Sequence, residues 1–424
     1  MILNMKIINV SVLLNGLKKT GIAMGVFFCV ILRPSGHLDA YNINLVQVKD
    51  AVLVTDPNGT VLFAKHADKK RIPASTLKIL TSLAALHYFG TDYRFATEFY
   101  LDADSNLKIK GYGDPMLLSE MIIQAADMIC VKLAAMKKNI INDIILDDSY
   151  FQSPVIIPGV SDSLEPYDAP NGALCANFNT VSFKHTASGK MLSADPHTPL
   201  LPFAIKRIRQ SRLKEGRIVF SHKEKENTIY AGEFFHYYLD KKGVVTKGRI
   251  KTGRVDIDKD RPLATYISGL SLDQVLSKLL EYSNNFMANQ ILLSLGAKVY
   301  GSPATLEKGV LAVSVYARDV LKIKDISLVE GSGISRNNLI CATDMMKILE
   351  KFSSYRHLMR KGKNEFYKTG TLNGIACRVG YIENRNKELY RYVVFINTPG
   401  TSIDDIMRII HQATACGQDS AHEN

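Results

Sequence analysis

The chain has no Cys-x-x-Cys pair, no internal repeat, no low-complexity tract and no stripe of basic residues. Its six cysteines are scattered, and only Cys416 has a histidine close by, His411, so a structural metal site is set aside and no metal or other cofactor is expected. Cys29 lacks the small residues that precede a lipid-attachment cysteine. The other five (Cys130, Cys175, Cys341, Cys377, Cys416) are odd in number, cannot all pair with one another, and read mainly as buried thiols. Without a nucleic-acid motif or a basic stripe, nucleic acid is not expected as a partner. Acid is the scarcer charge, 41 residues against 53 basic ones, for a net charge of +12. That balance suits an anionic partner, either a membrane surface or a polyanionic wall.

Long apolar runs are also rare. Gly21 to Leu32 is the exception near the N-terminus, and it follows Lys18 and Lys19. Its length suits a signal-peptide core better than a membrane span, so residues 1–40 read as a signal peptide or an N-terminal anchor. Cleavage near Ala40 would be poor, with Leu38 at the minus-three position. The expected location is therefore exported, in a periplasm or cell envelope. The 424 residues and 46% hydrophobic content allow two or three domains with a sizeable core.

Runs rich in β-branched and aromatic residues bracket the chain. Ala51 to Thr55 and Val61 to Lys65 flank the turn Asp56-Pro57-Asn58-Gly59 and read as a hairpin. Glu365 to Thr371, Ile375 to Glu383 and Leu389 to Asn397 read as three successive strands, and Ser402 caps a last helix. Between them, Arg94 to Tyr100, Asn106 to Lys110 and Ile141 to Leu146 read as strands, and Leu117 to Lys138 as a helix. Residues 149–198 show little periodicity, and 218–251 alternate in places as strands do. Helical patterns return at Leu270 to Tyr282, at Phe286 to Gly296 after the interruption Ser283-Asn284-Asn285, and at Thr343 to Phe352. The fold class is α+β. Residues 41–94 and 261–424 are expected to form one domain, with residues 95–260 inserted into it.

Chemistry concentrates in three short motifs. Ser75 and Lys78 lie three apart behind Pro73, at the start of an apolar helical segment that ends near Gly90. That spacing puts a hydroxyl and an amine on one helix face, a nucleophile beside a base. Ser-x-x-Lys should occur roughly twice by chance in such a chain, and two decoys exist. Ser105 and Lys108 fall in a strand-like stretch, and Ser211 and Lys214 fall in a basic run better explained as a solvated face. The second motif is Ser283-Asn284-Asn285, at a break between two apolar helices; the third is Lys368-Thr369-Gly370, on a predicted strand. Ser335-Arg336-Asn337 and Lys251-Thr252-Gly253 repeat the patterns, but Lys251 comes too early in the order.

The ordered set Ser-x-x-Lys, Ser-x-Asn, Lys-Thr-Gly is the signature of penicillin-binding proteins and related β-lactamases. The chain resembles the D-alanyl-D-alanine carboxypeptidases of the penicillin-binding protein 4 type. The resemblance extends to Gly111-Tyr112-Gly113-Asp114-Pro115, Tyr167-Asp168-Ala169-Pro170-Asn171-Gly172, Gly331-Ser332-Gly333-Ile334-Ser335-Arg336 and Tyr367-Lys368-Thr369-Gly370-Thr371-Leu372. It runs from about Tyr41 to near the C-terminus. It implies a transpeptidase-like domain, an antiparallel sheet flanked by helices, with a large insert between the first two motifs.

The resemblance also implies roles. Ser75 would attack the bond between the last two D-alanines of a peptidoglycan stem peptide. Lys78 would take its proton, with the cation of Lys368 depressing the Lys78 pKa. Backbone N–H groups of Ser75 and Thr371 would form the oxyanion hole, and Ser283 would relay a proton to the departing amine. Asn285 would hold the substrate amide, and Lys368 with Thr369 its terminal carboxylate. Asp147 and Arg336 would line the pocket for the stem-peptide side chain. β-Lactam antibiotics would be covalent inhibitors. Glu330 stands where the family usually has Asp, and the insert is short for the family. A β-lactamase-like hydrolase and a catalytically silent wall-binding protein are the rival readings. The missing Glu-x-x-Leu-Asn segment argues against a class A β-lactamase.

Overall fold

The β-forming runs at the two ends of the chain pair with each other. In the computed structural model, which describes residues 45–416, Ala51–Thr55 and Val61–Lys65 form the expected hairpin. Ala51–Thr55 then lies antiparallel to Leu389–Ile396. The predicted signal or anchor segment, with Cys29 in it, falls outside the described residues. No helix among the described residues is long and apolar enough to cross a membrane.

The sheet so made has six strands in the order Arg360–Lys361, Glu365–Leu372, Ile375–Glu383, Leu389–Ile396, Ala51–Thr55, Val61–Lys65. All neighbours are antiparallel. Side chains alternate between its faces. Val52, Val54, Tyr392 and Val394 meet Ile406, Met407 and Ile410 of the helix Ile403–Cys416. Leu53, Val379, Val393 and Phe395 face a layer of helices: Lys78–Phe89, Leu272–Tyr282, Asn285–Tyr300, Leu306–Asp319 and Ala342–Phe352. Asn285–Tyr300 is buried continuously from Phe286 to Ala297, as a helix at the centre of such a layer must be, and its buried Asn289 and Gln290 are hydrogen-bonded.

A second core is built on a five-stranded sheet in the order Ile250–Thr252, Ile144–Asp147, Leu107–Gly111, Ala96–Leu101, Arg261–Ile267. This sheet is mixed, with its first three strands parallel. Arg261–Ile267 pairs with Ala96–Leu101, so the sheet reaches past the expected border at 260. The helices Ser119–Ala135 and Glu226–Lys241 cover it.

Glu226–Lys241 corrects the strand-like reading of residues 218–251. Tyr230, Phe234, Phe235, Tyr237 and Tyr238 favour strands intrinsically. Burial of Ala231, Phe234, Phe235, Tyr238 and Leu239 along one helical stripe outweighs that preference. The helix Leu306–Asp319 was not anticipated. The single strand expected over 141–146 is two short ones, Ile140–Ile141 and Ile144–Asp147. The basic run holding Ser211 begins on a helix, Pro202–Ser211, anchored by buried Ala204 and Ile208.

Candidate active site

Pro73 lacks an N–H to satisfy, and it opens a short 3-10 turn, Ala74–Leu77, that leads into the Lys78–Phe89 helix. Ala74 is left-handed at φ 46°, an unfavourable state for alanine. Neighbouring backbone holds it there. A Cβ on Gly333 would stand 1.9 Å from the Ala74 carbonyl oxygen, and one on Gly370 would stand 2.7 Å from the Ser75 nitrogen. Only glycine lets the 330–337 loop and the Glu365–Leu372 strand close on the corner that presents Ser75. Behind it, the Ile72 N–H donates to Asn397 Oδ1 at 2.8 Å. Asp50 Oδ1 in turn accepts from the Asn397 and Thr398 N–H groups.

Lys78 Nζ lies 2.8 Å from Ser75 Oγ, 2.8 Å from Asn285 Oδ1 and 2.7 Å from the Ser332 carbonyl oxygen. Asn285 Oδ1 and the Ser332 carbonyl can only accept. In a neutral amine the two N–H bonds therefore go to them, and the lone pair faces the Ser75 hydroxyl. Burial pushes the Lys78 amine well below its usual pKa. The charge of Lys368 adds to this, and Glu330 opposes it. The expectation named Lys368 as the depressing cation; desolvation comes first.

Ser283 is also left-handed, at φ 56°, in the break between Leu272–Tyr282 and Asn285–Tyr300. Its Oγ accepts from Lys368 Nζ at 2.7 Å, and Lys368 also donates to the Thr369 carbonyl at 2.7 Å. Burial, then repulsion from Arg360, lowers the Lys368 pKa to about 7. Among the described residues, Arg360–Lys361 pairs with the outer edge of Glu365–Leu372 only at Phe366 and Tyr367. From Lys368 to Leu372 that edge is open, and Thr369 and Thr371 lie along it. The structure thus gathers Ser75, Lys78 and Asn285 into one hydrogen-bonded group and Ser283 and Lys368 into a second, and the charge of Lys368 acts on Lys78 across the space between them. Arg336 is exposed near the end of the same strand and donates to the Asn373 carbonyl.

The profile of the D-Ala-D-Ala carboxypeptidase 3 (S13) family matches residues 42–227 and 210–360. The chain belongs to that family. Among similar proteins, the D-alanyl-D-alanine carboxypeptidase of an Actinomadura strain is 24% identical, with 81% of this chain and 76% of the relative covered. The D-alanyl-D-alanine carboxypeptidase DacB of Haemophilus influenzae is 25% identical, with 87% and 86% covered. The crystal structure of penicillin binding protein 4 (dacB) from Haemophilus influenzae superposes with a TM-score of 0.67 at 21% identity, over 84% of this chain and 92% of that one. The fold of this S13 chain is therefore that of penicillin-binding protein 4: α+β, with the antiparallel sheet carrying the Lys-Thr-Gly strand.

One expected site residue stands apart in this S13 chain. Asp147 is 1% exposed, at the end of a strand of the second sheet. Its Oδ1 accepts from the Ser149 N–H and its Oδ2 from the Val255 N–H, with Lys110 Nζ at 3.9 Å. These contacts knit a loop to a strand and leave no face toward a ligand. The decoys also have structural partners. Lys251 pairs with Asp143 at 2.5 Å, and Lys108 pairs with Asp260 at 2.7 Å.

Glu330, a departure from the family pattern, organises the glycine-rich loop. Its two oxygens accept from the backbone of Ser332, Gly333 and Ser335 and from the side chains of Asn289, Ser332 and Asn338. That web holds the Ser332 carbonyl against Lys78. A buried acid inside a Gly-Ser-Gly loop was the available signal, since such a carboxylate must find donors nearby.

Proposed function

We propose that this S13 chain is a serine-type D-alanyl-D-alanine carboxypeptidase acting on peptidoglycan stem peptides, and that it also cuts cross-links as an endopeptidase. The observation that carries the reading is the 2.8 Å contact between Lys78 Nζ and Ser75 Oγ, made by a buried amine with no carboxylate partner. Ser75 Oγ adds to the carbonyl of the penultimate D-alanine while its proton passes to the lone pair of Lys78. The Ser75 and Thr371 N–H groups take the developing oxyanion. The carbon–nitrogen bond breaks, and the departing amine receives a proton through Ser283, with the Lys368 ammonium behind it. Water then adds to the ester carbonyl and frees Ser75. On a cross-linked substrate the same cleavage releases a peptide amine instead of free D-alanine.

Asn285 holds the substrate amide, and Lys368 with Thr369 holds the terminal carboxylate; Arg336 stands near the end of the same strand. Asp147 has no part in binding. The open strand edge from Lys368 to Leu372 suits an extended peptide added as a further strand. Residues 95–260 serve as an accessory body, and the protein works outside the cytoplasm, in a periplasm or cell envelope. Mass spectrometry after exposure to penicillin and to a D-Ala-D-Ala pentapeptide tests the reading. A persistent adduct on Ser75, lost in Ser75→Ala, together with release of D-alanine is expected. No adduct on the folded protein would overturn the reading, and rapid turnover of penicillin would replace it with a β-lactamase-like hydrolase.

A further inference from the structure

The basic run around Ser211 has no part in the site, and its charge is gathered on one surface. Residues 180–225 hold ten lysines and arginines against three acids, a net of +7 out of the chain's +12. They build a three-stranded sheet, in the order Met191–Ser193, Thr180–His185, Glu215–Val219, and the helix Pro202–Ser211, which share the second core. That helix turns its apolar face to the core through buried Ala204 and Ile208. Its other face is exposed at Pro202, Lys206, Arg209 and Gln210, the spacing of one helical stripe.

A concavity of about 480 Å³ opens on that face, lined by Pro202, Ile205, Lys206, Arg209, Gln210 and Arg212. Three of these residues are cations and none is an acid. Lys206, Arg209 and Arg212 make no side-chain hydrogen bond or ion pair with the described residues. Arg207, on the same helix, is the contrast: it turns inward to Glu226 and Ser221. Glu215 is the one acid between Lys206 and Arg217, and it stands opposite Lys184 in the sheet. Three like charges left together raise the local potential and draw an anionic partner.

The rim of the concavity says which kind. Arg212 turns the chain at φ 58°, and Leu213 after it is 45% exposed, with exposed Lys214 next in line. A leucine held out between two cations gains nothing from a dissolved polyanion. It gains from the acyl boundary of a bilayer whose headgroups take the charges. We propose that this face docks on an anionic phospholipid bilayer, with phosphate headgroups against Lys206, Arg209 and Arg212 and with Leu213 at the acyl boundary. The contact is peripheral, and it is independent of the reaction at Ser75, which belongs to the other core.

The test is co-sedimentation of the full chain with vesicles of phosphatidylcholine alone and of an equal mixture with phosphatidylglycerol. The anionic vesicles should bind about a hundredfold tighter, from about fivefold for each of three cations near such a surface, and added salt should weaken that binding. The triple variant Lys206→Gln, Arg209→Gln, Arg212→Asn should lose the preference with its thermal unfolding unchanged, since asparagine tolerates the left-handed turn. Leu213→Ser should weaken binding to the anionic vesicles several-fold and keep the salt dependence. Equal binding to the two vesicles, or a preference that survives the triple substitution, would overturn the proposal. So would displacement from the vesicles by soluble polyglycerol phosphate together with full binding by Leu213→Ser, because that pattern assigns the face to a dissolved polymer.

Discussion

Two regions of this molecule bury lysines, and they do so in opposite ways. In the second sheet, Lys108 Nζ sits 2.7 Å from Asp260 and 3.9 Å from Asp102, so its charge is answered by acid. In the catalytic layer, Lys78 and Lys368 are more deeply buried than Lys108, yet their amines hydrogen-bond only to hydroxyl, amide and carbonyl oxygens. A fold that needs only stability pairs its buried charge. One that needs a base withholds the counter-ion and lets desolvation remove the proton.

Substitution of the amines should separate the two cases most sharply. Lys78→Met should cut penicillin acylation by at least about a thousandfold, the upper range for loss of a general base, with thermal stability unchanged or raised. Lys108→Met should leave acylation within a few-fold but cost about 3 kcal/mol in denaturant unfolding, because Asp260 stays buried without its partner. If both variants lost activity and stability alike, the contrast would be wrong.

Next in size is the corner itself. Gly333→Ala forces a Cβ onto the Ala74 carbonyl, and a shift of the nucleophile by an ångström should slow acylation about a hundredfold. Rates in Gly333→Ala matching the unaltered protein would show that the corner tolerates movement.

A pH dependence follows from Lys368. Its pKa of about 7 means that it loses its charge as pH rises through neutrality. With a substrate that ends in a carboxylate, kcat/KM should fall above about pH 7; with the corresponding terminal amide that limb should vanish. The stability effect has the opposite direction. The folded pKa lies below the unfolded lysine value, so folding expels a proton between the two. The cost is complete below about pH 7 and fades toward the unfolded value near 10.4. Lys368→Gln should therefore raise Tm more at pH 6 than at pH 10. Equal gains at both would sink the assignment.

The smallest effect on activity is expected at Asp147. Asp147→Ala should cost about 2 kcal/mol through two orphaned backbone donors and leave kcat/KM within about twofold. A large rise in KM at unchanged stability would return Asp147 to the substrate pocket.

The catalytic layer was the more legible of the two regions. Ser75 and Lys78 sit on one helical turn, so their spacing alone brings them together, and the β-rich runs around Lys368 have the alternation of a half-buried strand. The meeting of Lys368 with Ser283 depends on contacts across 85 positions, which no local pattern encodes. The second region misled for physical reasons. Its helix Glu226–Lys241 is written in aromatics that also suit strands, and only burial against a sheet decides between them. Asp147 was given to the side-chain pocket by the family resemblance alone, but a strand end that turns back needs acceptors for nearby N–H groups. Asp147 supplies them to Ser149 and Val255.

The seam between Ala51–Thr55 and Leu389–Ile396 joins the first described strand to the last. During synthesis the early hairpin must wait, unpaired on one edge, until Leu389–Ile396 has emerged. Ser75 is translated well before the strand Glu365–Leu372, and it cannot be armed until that strand, which carries Lys368, has joined the sheet. A hydrolase built this way is born inert, and the order of the gene delays its reactivity.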